Sequence, residues 1–257
     1  MYRGSIVIKT PDEIDQMAAS GRIQARCLQM LREMCAPGIT TAELDKAAEE
    51  FIRAEGGIPT FKGYRGFPAS ICASPNSMVV HGIPDDTELA SGDVLAIDAG
   101  VTYGDWVSDA AITVPIGEVS DEASSLLDVT RQSLFDAVDQ VRPGNRLSDI
   151  SHAVQTTVEA GGFSVIKTLV GHGVGREMHE DPQIPNFGEP GRGPELEAGM
   201  VFAIEPMVNA GGPGVRLDED GWSVFSVDGS LAAHFEFTVA VTTEGPRILT
   251  PWHEEIG

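Results

Sequence analysis

The chain repeats its own landmarks about 106 residues apart, and this constrains the fold more than any other feature. Pro37-Gly38 recurs as Pro143-Gly144, each ahead of an amphipathic stretch. Those stretches open at Thr40-Thr41-Ala42-Glu43-Leu44 and Leu147-Ser148-Asp149-Ile150, and they close on Gly56-Gly57 and Gly161-Gly162. Gly92-Asp93-Val94-Leu95-Ala96-Ile97-Asp98 is answered by Gly199-Met200-Val201-Phe202-Ala203-Ile204-Glu205. Pro-Gly and Gly-Gly are common punctuation one at a time. Their shared spacing implies an internal duplication. The expected molecule is a single domain over 1–257, with halves of about 10–116 and 120–250. A pseudo-twofold axis between the halves would bring Asp98 and Glu205 to equivalent places.

Local signals fill in each half. Thr10-Pro11-Asp12-Glu13 is a capping box with proline at the first helical position, and predicts a helix running to about Cys35. Thr40 with Glu43 predicts a second. Ser120 and Ser148 are the expected caps of a third and fourth, beginning near Asp121 and Asp149. Glycine turns and β-branched alternation make 58–116 and 163–250 strand-rich. Helix pairs alternating with antiparallel strands give an α+β fold, the helices covering one face of the sheet. No Pro/Ser/Gly-rich linker separates the halves.

Acidic residues stand in the apolar runs of this sheet. Asp98 ends Val94-Leu95-Ala96-Ile97, Glu205 ends Val201-Phe202-Ala203-Ile204, and Glu236 lies inside His234-Phe235-Glu236-Phe237-Thr238-Val239. A buried carboxylate takes a proton or a cation, because stripping its water costs several kcal/mol. A two-residue hairpin turn at Tyr103-Gly104 places Asp98 directly opposite Asp109, Cβ atoms about 4.5–5.5 Å apart, where the two repel unless a cation or proton intervenes. Asp105 reads as a solvated turn residue without a role. His172, between Gly171 and Gly173, can supply an imidazole from backbone that approaches closely. Singly, Glu236 could face solvent from an edge strand, Glu205 could end a strand before Pro206, and His172 could be structural. As a set, Asp98, Asp109, His172, Glu205 and Glu236 form an oxygen-rich group large enough for two divalent cations.

Charge and cysteine usage narrow the function. Seventeen basic against 39 acidic residues give a net charge of −22, a field that repels phosphate backbones, so tight nucleic-acid binding is not expected. No apolar run of about 18 residues is present to span a membrane. Met1–Lys9 carries no signal-peptide pattern, and Cys27, Cys35 and Cys72 lack metal-type spacing. Together these lead us to expect a cytoplasmic enzyme.

The residues in their local contexts resemble methionine aminopeptidase, in its short bacterial type I form. The resemblance runs through Tyr64-Arg65-Gly66-Phe67-Pro68 to His81-Gly82-Ile83-Pro84-Asp85-Asp86, then Asp98-Ala99-Gly100 and Asp109. It continues through Gly171-His172-Gly173-Val174-Gly175, His179-Glu180-Asp181-Pro182, Ile204-Glu205-Pro206 and Glu236-Phe237-Thr238, covering about Pro11 to Thr250. It implies the pita-bread fold and a dinuclear aminopeptidase that removes N-terminal methionine ahead of a small second residue. Asp109 and Glu236 would bridge two metals, Asp98 would bind one, and His172 and Glu205 would complete the other's shell. A water or hydroxide between the metals would be the nucleophile.

The same resemblance gives the remaining site residues. His179 would donate to the scissile carbonyl or its oxyanion and His81 would handle the peptide nitrogen, with Glu205 counted among the catalytic groups. Tyr64, Phe67, Cys72 and Trp222 match pocket positions, and Phe61 and Met178 join them. Phe67 and Met178 depart from the usual tyrosine and phenylalanine. The ligands admit Mn, Fe, Co or Zn. A proline-specific aminopeptidase or prolidase would share fold and ligands but usually carries a further N-terminal domain, whereas about ten residues precede the first helix here. A non-catalytic binding module would be expected to have lost ligands. The implied partners are Met-initiated protein and peptide N-termini, with at most a transient ribosome encounter. The expected state is a monomer.

Overall fold

A computed structural model describes residues 5–254; Met1-Tyr2-Arg3-Gly4 of the predicted leaderless start lie outside them. The described residues contain four α-helices, α1 (Pro11–Met34), α2 (Thr41–Ala54), α3 (Asp121–Val138) and α4 (Leu147–Ala160). The first two start at reciprocal capping boxes. Glu13 N–H donates to Thr10 Oγ1 at 3.3 Å while Thr10 N–H donates to Glu13 at 2.9 Å, and Thr40 and Glu43 repeat this at 3.1 and 2.9 Å. Ser120 caps α3 by accepting from Ala123 N–H.

The fourth helix starts earlier than Ser148 predicts. Arg146 occupies the cap position, and Asp149 reaches back to accept from its N–H at 2.7 Å. Ser148 Oγ is turned instead to the Arg192 N–H. The reason lies in the preceding backbone: Arg146 bridges to Glu195, as Thr40 bridges to Glu88 before α2. That bridge sets the entry of the chain into the helix, whatever side chain stands there.

All strand pairings are antiparallel, arranged around a long hairpin of Val94–Tyr103 and Trp106–Pro115. Its register differs from the expected one. Asp98 lies opposite Ala111 and Asp109 opposite Gly100, because the turn is Gly104-Asp105 rather than Tyr103-Gly104. Both turn residues have positive φ, +57° and +66°, as the hairpin turn matching strand twist requires. Asp105 is therefore half of the turn itself. A slip of two residues keeps the strand face, so Asp98 and Asp109 remain on one side as diagonal neighbours.

The second half docks on this hairpin through a short ladder. Asp109 N–H donates to Thr238 Oγ1 at 2.9 Å and the Thr238 hydroxyl donates to Asp109 O at 2.7 Å. Glu236 N–H donates to Ala111 O at 2.9 Å. Thr113 and His234 exchange bonds at 2.7 and 2.9 Å. Beyond the ladder, Val170–Gly173, Val201–Ile204, Phe237–Thr242 and Gly245–Ile248 continue as one sheet, with Glu180–Pro185 at its edge.

The helices pack over the sheets around a core that includes Leu28, Leu31, Leu95, Ile97, Leu126, Phe202 and Phe237. Burying each such side chain contributes about 1.5–3 kcal/mol. In α1, Ser20 Oγ donates to Val101 O at 2.8 Å and Gln24 Nε2 to Ala99 O, stitching the helix to the hairpin. Gly21 is where α1 passes the Leu249 backbone, and an added Cβ would stand 2.0 Å from that carbonyl oxygen. Gly21→Ala is expected to cost about 1–3 kcal/mol or more. That lowers the thermal unfolding midpoint by several degrees. An unchanged midpoint in calorimetry would contradict so close an approach. No described helix is long and apolar enough to cross a membrane.

Candidate metal centre and substrate pocket

Five strand segments converge on one cavity of about 300 Å³ between the halves. Asp98 and Asp109 enter from the two arms of the hairpin, and His172 from Val170–Gly173. Glu205 follows Val201–Ile204, and Glu236 sits between Ala232–His234 and Phe237–Thr242. All five line the cavity, as do Tyr64, Phe67, Cys72, His81, His179 and Trp222. Phe61 and Met178 line it too, so every site residue expected from sequence reaches the same space.

The acidic cluster is buried, with Glu236 only 1 % and Asp109 3 % exposed. His172 Nε2 stands 3.5 Å from Asp109 Oδ2 and 3.6 Å from Glu205 Oε1. Donor atoms of Asp109, His172 and Glu236 all lie within 4.8 Å of one another. The His172 Nδ1 faces the Gly173 carbonyl at 2.9 Å. A carbonyl can only accept, so Nδ1 carries a proton and Nε2 is the nitrogen turned to the carboxylates.

Electrostatics here are those of an unneutralised cluster. Burial, and then the neighbouring carboxylates, hold Asp98 and Glu236 well above the usual carboxylate range. Burial pushes Glu205 up to about 8. Burial alone would depress His172, but Asp109 and Glu205 override it and raise the imidazole to about 9. Asp98 Oδ1, Asp109 Oδ1 and Glu236 Oε1 are buried without hydrogen-bond partners among the described residues. Such orphaned oxygens are costly. A divalent cation satisfies them, and carboxylate oxygens with imidazole nitrogen suit one. The residues present fit a metal centre.

The chain belongs to metallopeptidase family M24. The family model for Metallopeptidase family M24 matches residues 15–243. M24 chains 52 and 51 % identical to this one are the methionine aminopeptidase of Clostridium perfringens and methionine aminopeptidase 1 of Bacillus subtilis. The first alignment covers 95 % of this chain and 98 % of that relative, the second 95 % and 99 %. Among solved structures, methionine aminopeptidase from Thermotoga maritima superposes with a TM-score of 0.94 at 45 % identity, covering 96 % of this chain and 99 % of that one. The prolidase from Pyrococcus furiosus has a TM-score of 0.76 at 22 % identity, a likeness of fold alone. This chain covers 66 % of that longer prolidase.

Around the acidic cluster the M24 cavity is apolar and aromatic. Phe61 and Phe67 meet edge to face at 6.5 Å, and Phe67 meets Trp222 at 5.1 Å. Trp222 is held by its turn, since Asp220 accepts from the Trp222 and Ser223 N–H groups and from the Ser223 hydroxyl. Met178 and Cys72 are 4 and 5 % exposed. Burial, and then Asp98 and Asp109, push the Cys72 thiol well up, which favours its neutral form.

Two histidines reach the cavity without facing the carboxylates directly. His179 Nδ1 lies 2.9 Å from the Tyr64 hydroxyl, with the rings stacked, and its ring centroid is 4.3 Å from that of His172. Desolvation, and then the His172 charge, pull its pKa down to about 4, so the ring is neutral near pH 7. His81 stands in the left-handed region at φ +62° on the cavity edge. The next residue, Gly82, has no room for a Cβ, which would lie 2.2 Å from Ala73 O. His234 is a cavity residue that sequence reasoning passed over. Its signal was its place two residues before Glu236 in an extended run, which puts both on one face.

Proposed function

We propose that this chain is a metal-dependent aminopeptidase that hydrolyses the N-terminal methionine from peptides and newly made proteins with a small second residue. The observation that carries this reading is a buried carboxylate and imidazole donor set lining one cavity of about 300 Å³ together with apolar and aromatic side chains. Phe61, Phe67, Cys72, Met178 and Trp222 give the unbranched thioether an apolar, polarisable lining. Asp109 and Glu236 would be shared by two divalent cations (Mn, Fe, Co or Zn), with Asp98 on one and His172 and Glu205 on the other. The cations, when bound, would polarise the scissile carbonyl and make water a competent nucleophile near neutral pH.

The remaining roles belong to the chain's own groups. With Tyr64 O–H donating to Nδ1, His179 keeps its proton on Nε2 and offers it to the carbonyl oxygen as negative charge develops there. His81, which lines the same cavity, would meet the scissile peptide nitrogen or its proton. In this reading Glu205, whose Oε1 lies 3.6 Å from His172 Nε2, would take a proton from the attacking water. We read the whole chain as one catalytic domain built by duplication, active as a cytoplasmic monomer.

A substrate panel tests the assignment. Metal-loaded protein is expected to release methionine from Met-Ala-Ser and to leave Ala-Pro intact. Preferential cleavage of Ala-Pro would instead assign the proline-specific reaction of the same fold.

Its association with ribosomes is expected to be weak and salt-sensitive. The hairpin leading to Trp222 reads Arg216-Leu217-Asp218-Glu219-Asp220-Gly221, and Arg216 is already paired with Asp218 at 3.1 Å. With a net charge of −22, little drives contact with rRNA. Co-sedimentation that survives physiological salt would contradict this.

A further inference from the structure

Arg65 is the one lysine or arginine among the described residues that line the cavity, whose walls otherwise hold Asp98, Asp109, Glu205 and Glu236. Its side chain is exposed, which places it at the mouth rather than in the depth of the cavity. Among the described residues it forms no ion pair. The acidic hairpin that ends at Trp222 does not neutralise it, since Asp218 is paired with Arg216 and Asp220 accepts from its own turn. The guanidinium is therefore an uncommitted charge.

The backbone beneath it is unusual for such a residue. Gly63, Arg65 and Gly66 all stand in the left-handed region, at φ +86°, +49° and +92°. The two glycines suit that region and an arginine does not. A turn kept for its shape alone would carry glycine or asparagine at position 65. A strained residue on the rim of a binding cavity points to a side chain that meets a ligand.

Geometry indicates which part of a ligand. The Arg65 guanidinium carbon lies 5.3 Å from the Tyr64 ring centre, and that ring lies 5.6 Å from the His179 ring. Those spacings put the charge within about three residues of extended chain from His179, the group assigned to the scissile carbonyl. An aminopeptidase has a single residue on the other side of that bond, and here apolar side chains enclose it. What reaches an exposed charge at the mouth is the leaving peptide. A protein of net charge −22 repels acidic peptides, and one free guanidinium on the exit path reverses that locally. Its planar fork suits a carboxylate.

We propose that Arg65 is a specificity-determining residue that favours substrates with a carboxylate one or two residues beyond the small second residue. That carboxylate belongs to an aspartate or glutamate side chain, or to the C-terminus of a short peptide. The proposal rests on the aminopeptidase reading above. Because Arg65 stands away from the reacting atoms, it binds ground state and transition state alike, and its effect falls on KM rather than kcat.

The test assays metal-loaded, full-length protein on two matched peptide pairs. Met-Ala-Asp-Gly amide against Met-Ala-Asn-Gly amide reads a side-chain carboxylate, and Met-Ala-Ser against Met-Ala-Ser amide reads a terminal one. In low salt, the charged member of at least one pair is expected to have a kcat/KM higher by about threefold or more, through KM. In Arg65→Gln that ratio should fall to about one or below, and in Arg65→Lys it should persist in part. Damage to the Tyr64–His179 pair would slow both members of a pair alike and leave the ratio where it was. Ratios near one in both pairs, or a preference that Arg65→Gln retains, would overturn the proposal while methionine release keeps the aminopeptidase reading standing. Release from none of the peptides would remove that reading, and this proposal with it.

Discussion

Asp109→Asn and Glu236→Gln are each expected to abolish peptide hydrolysis. Both substitutions keep the side chain's shape and remove one negative charge from a position that two cations would share. Neither disturbs the ladder that docks the halves, because Thr238 binds the Asp109 backbone and Ala111 O accepts from the Glu236 backbone. The variants should fold with near-native thermal stability, so lost activity reports on the centre itself. Retention of more than about a tenth of kcat with normal metal content would limit the lost barrier to roughly 1.4 kcal/mol. The shared-ligand account could not survive that.

The two neighbouring histidines should separate cleanly. His179→Ala is expected to lower kcat by about two to three orders of magnitude with metal content unchanged, since the interaction it removes strengthens only as charge develops on the carbonyl oxygen. His172→Ala should instead weaken metal affinity, because its Nε2 faces Asp109 and Glu205 within 3.6 Å. The rings are only 4.3 Å apart, so general disruption of the region would affect both variants alike. Metal titrations that coincide for the two variants would erase the distinction.

Local chemistry explains what the sequence made legible. Thr10 with Glu13 and Thr40 with Glu43 are two-way side-chain signals, and both helices start where those pairs lie. Arg146 offers no such signal. Its helix begins where a backbone bridge to Glu195 sets it, and Ser148 was a misleading cue. The hairpin register was missed by two residues because Asp105 adopts a left-handed conformation that aspartate tolerates and a glycine-centred reading overlooks. The face survived that error because strand alternation has a period of two. What could not be read was the ladder joining Asp109–Thr113 to His234–Thr238, which pairs segments more than a hundred residues apart. His234 owes its place in the cavity to that ladder.

The central claim is that the buried carboxylate and imidazole set is a metal centre that performs hydrolysis. Metal-depleted protein should be assayed for methionine release from Met-Ala-Ser while Mn, Fe, Co and Zn are added back one at a time. We predict negligible release without metal, recovery with at least one cation, and no recovery in Asp109→Asn. Metal-free protein that hydrolyses the peptide as fast as the loaded protein would contradict the claim outright.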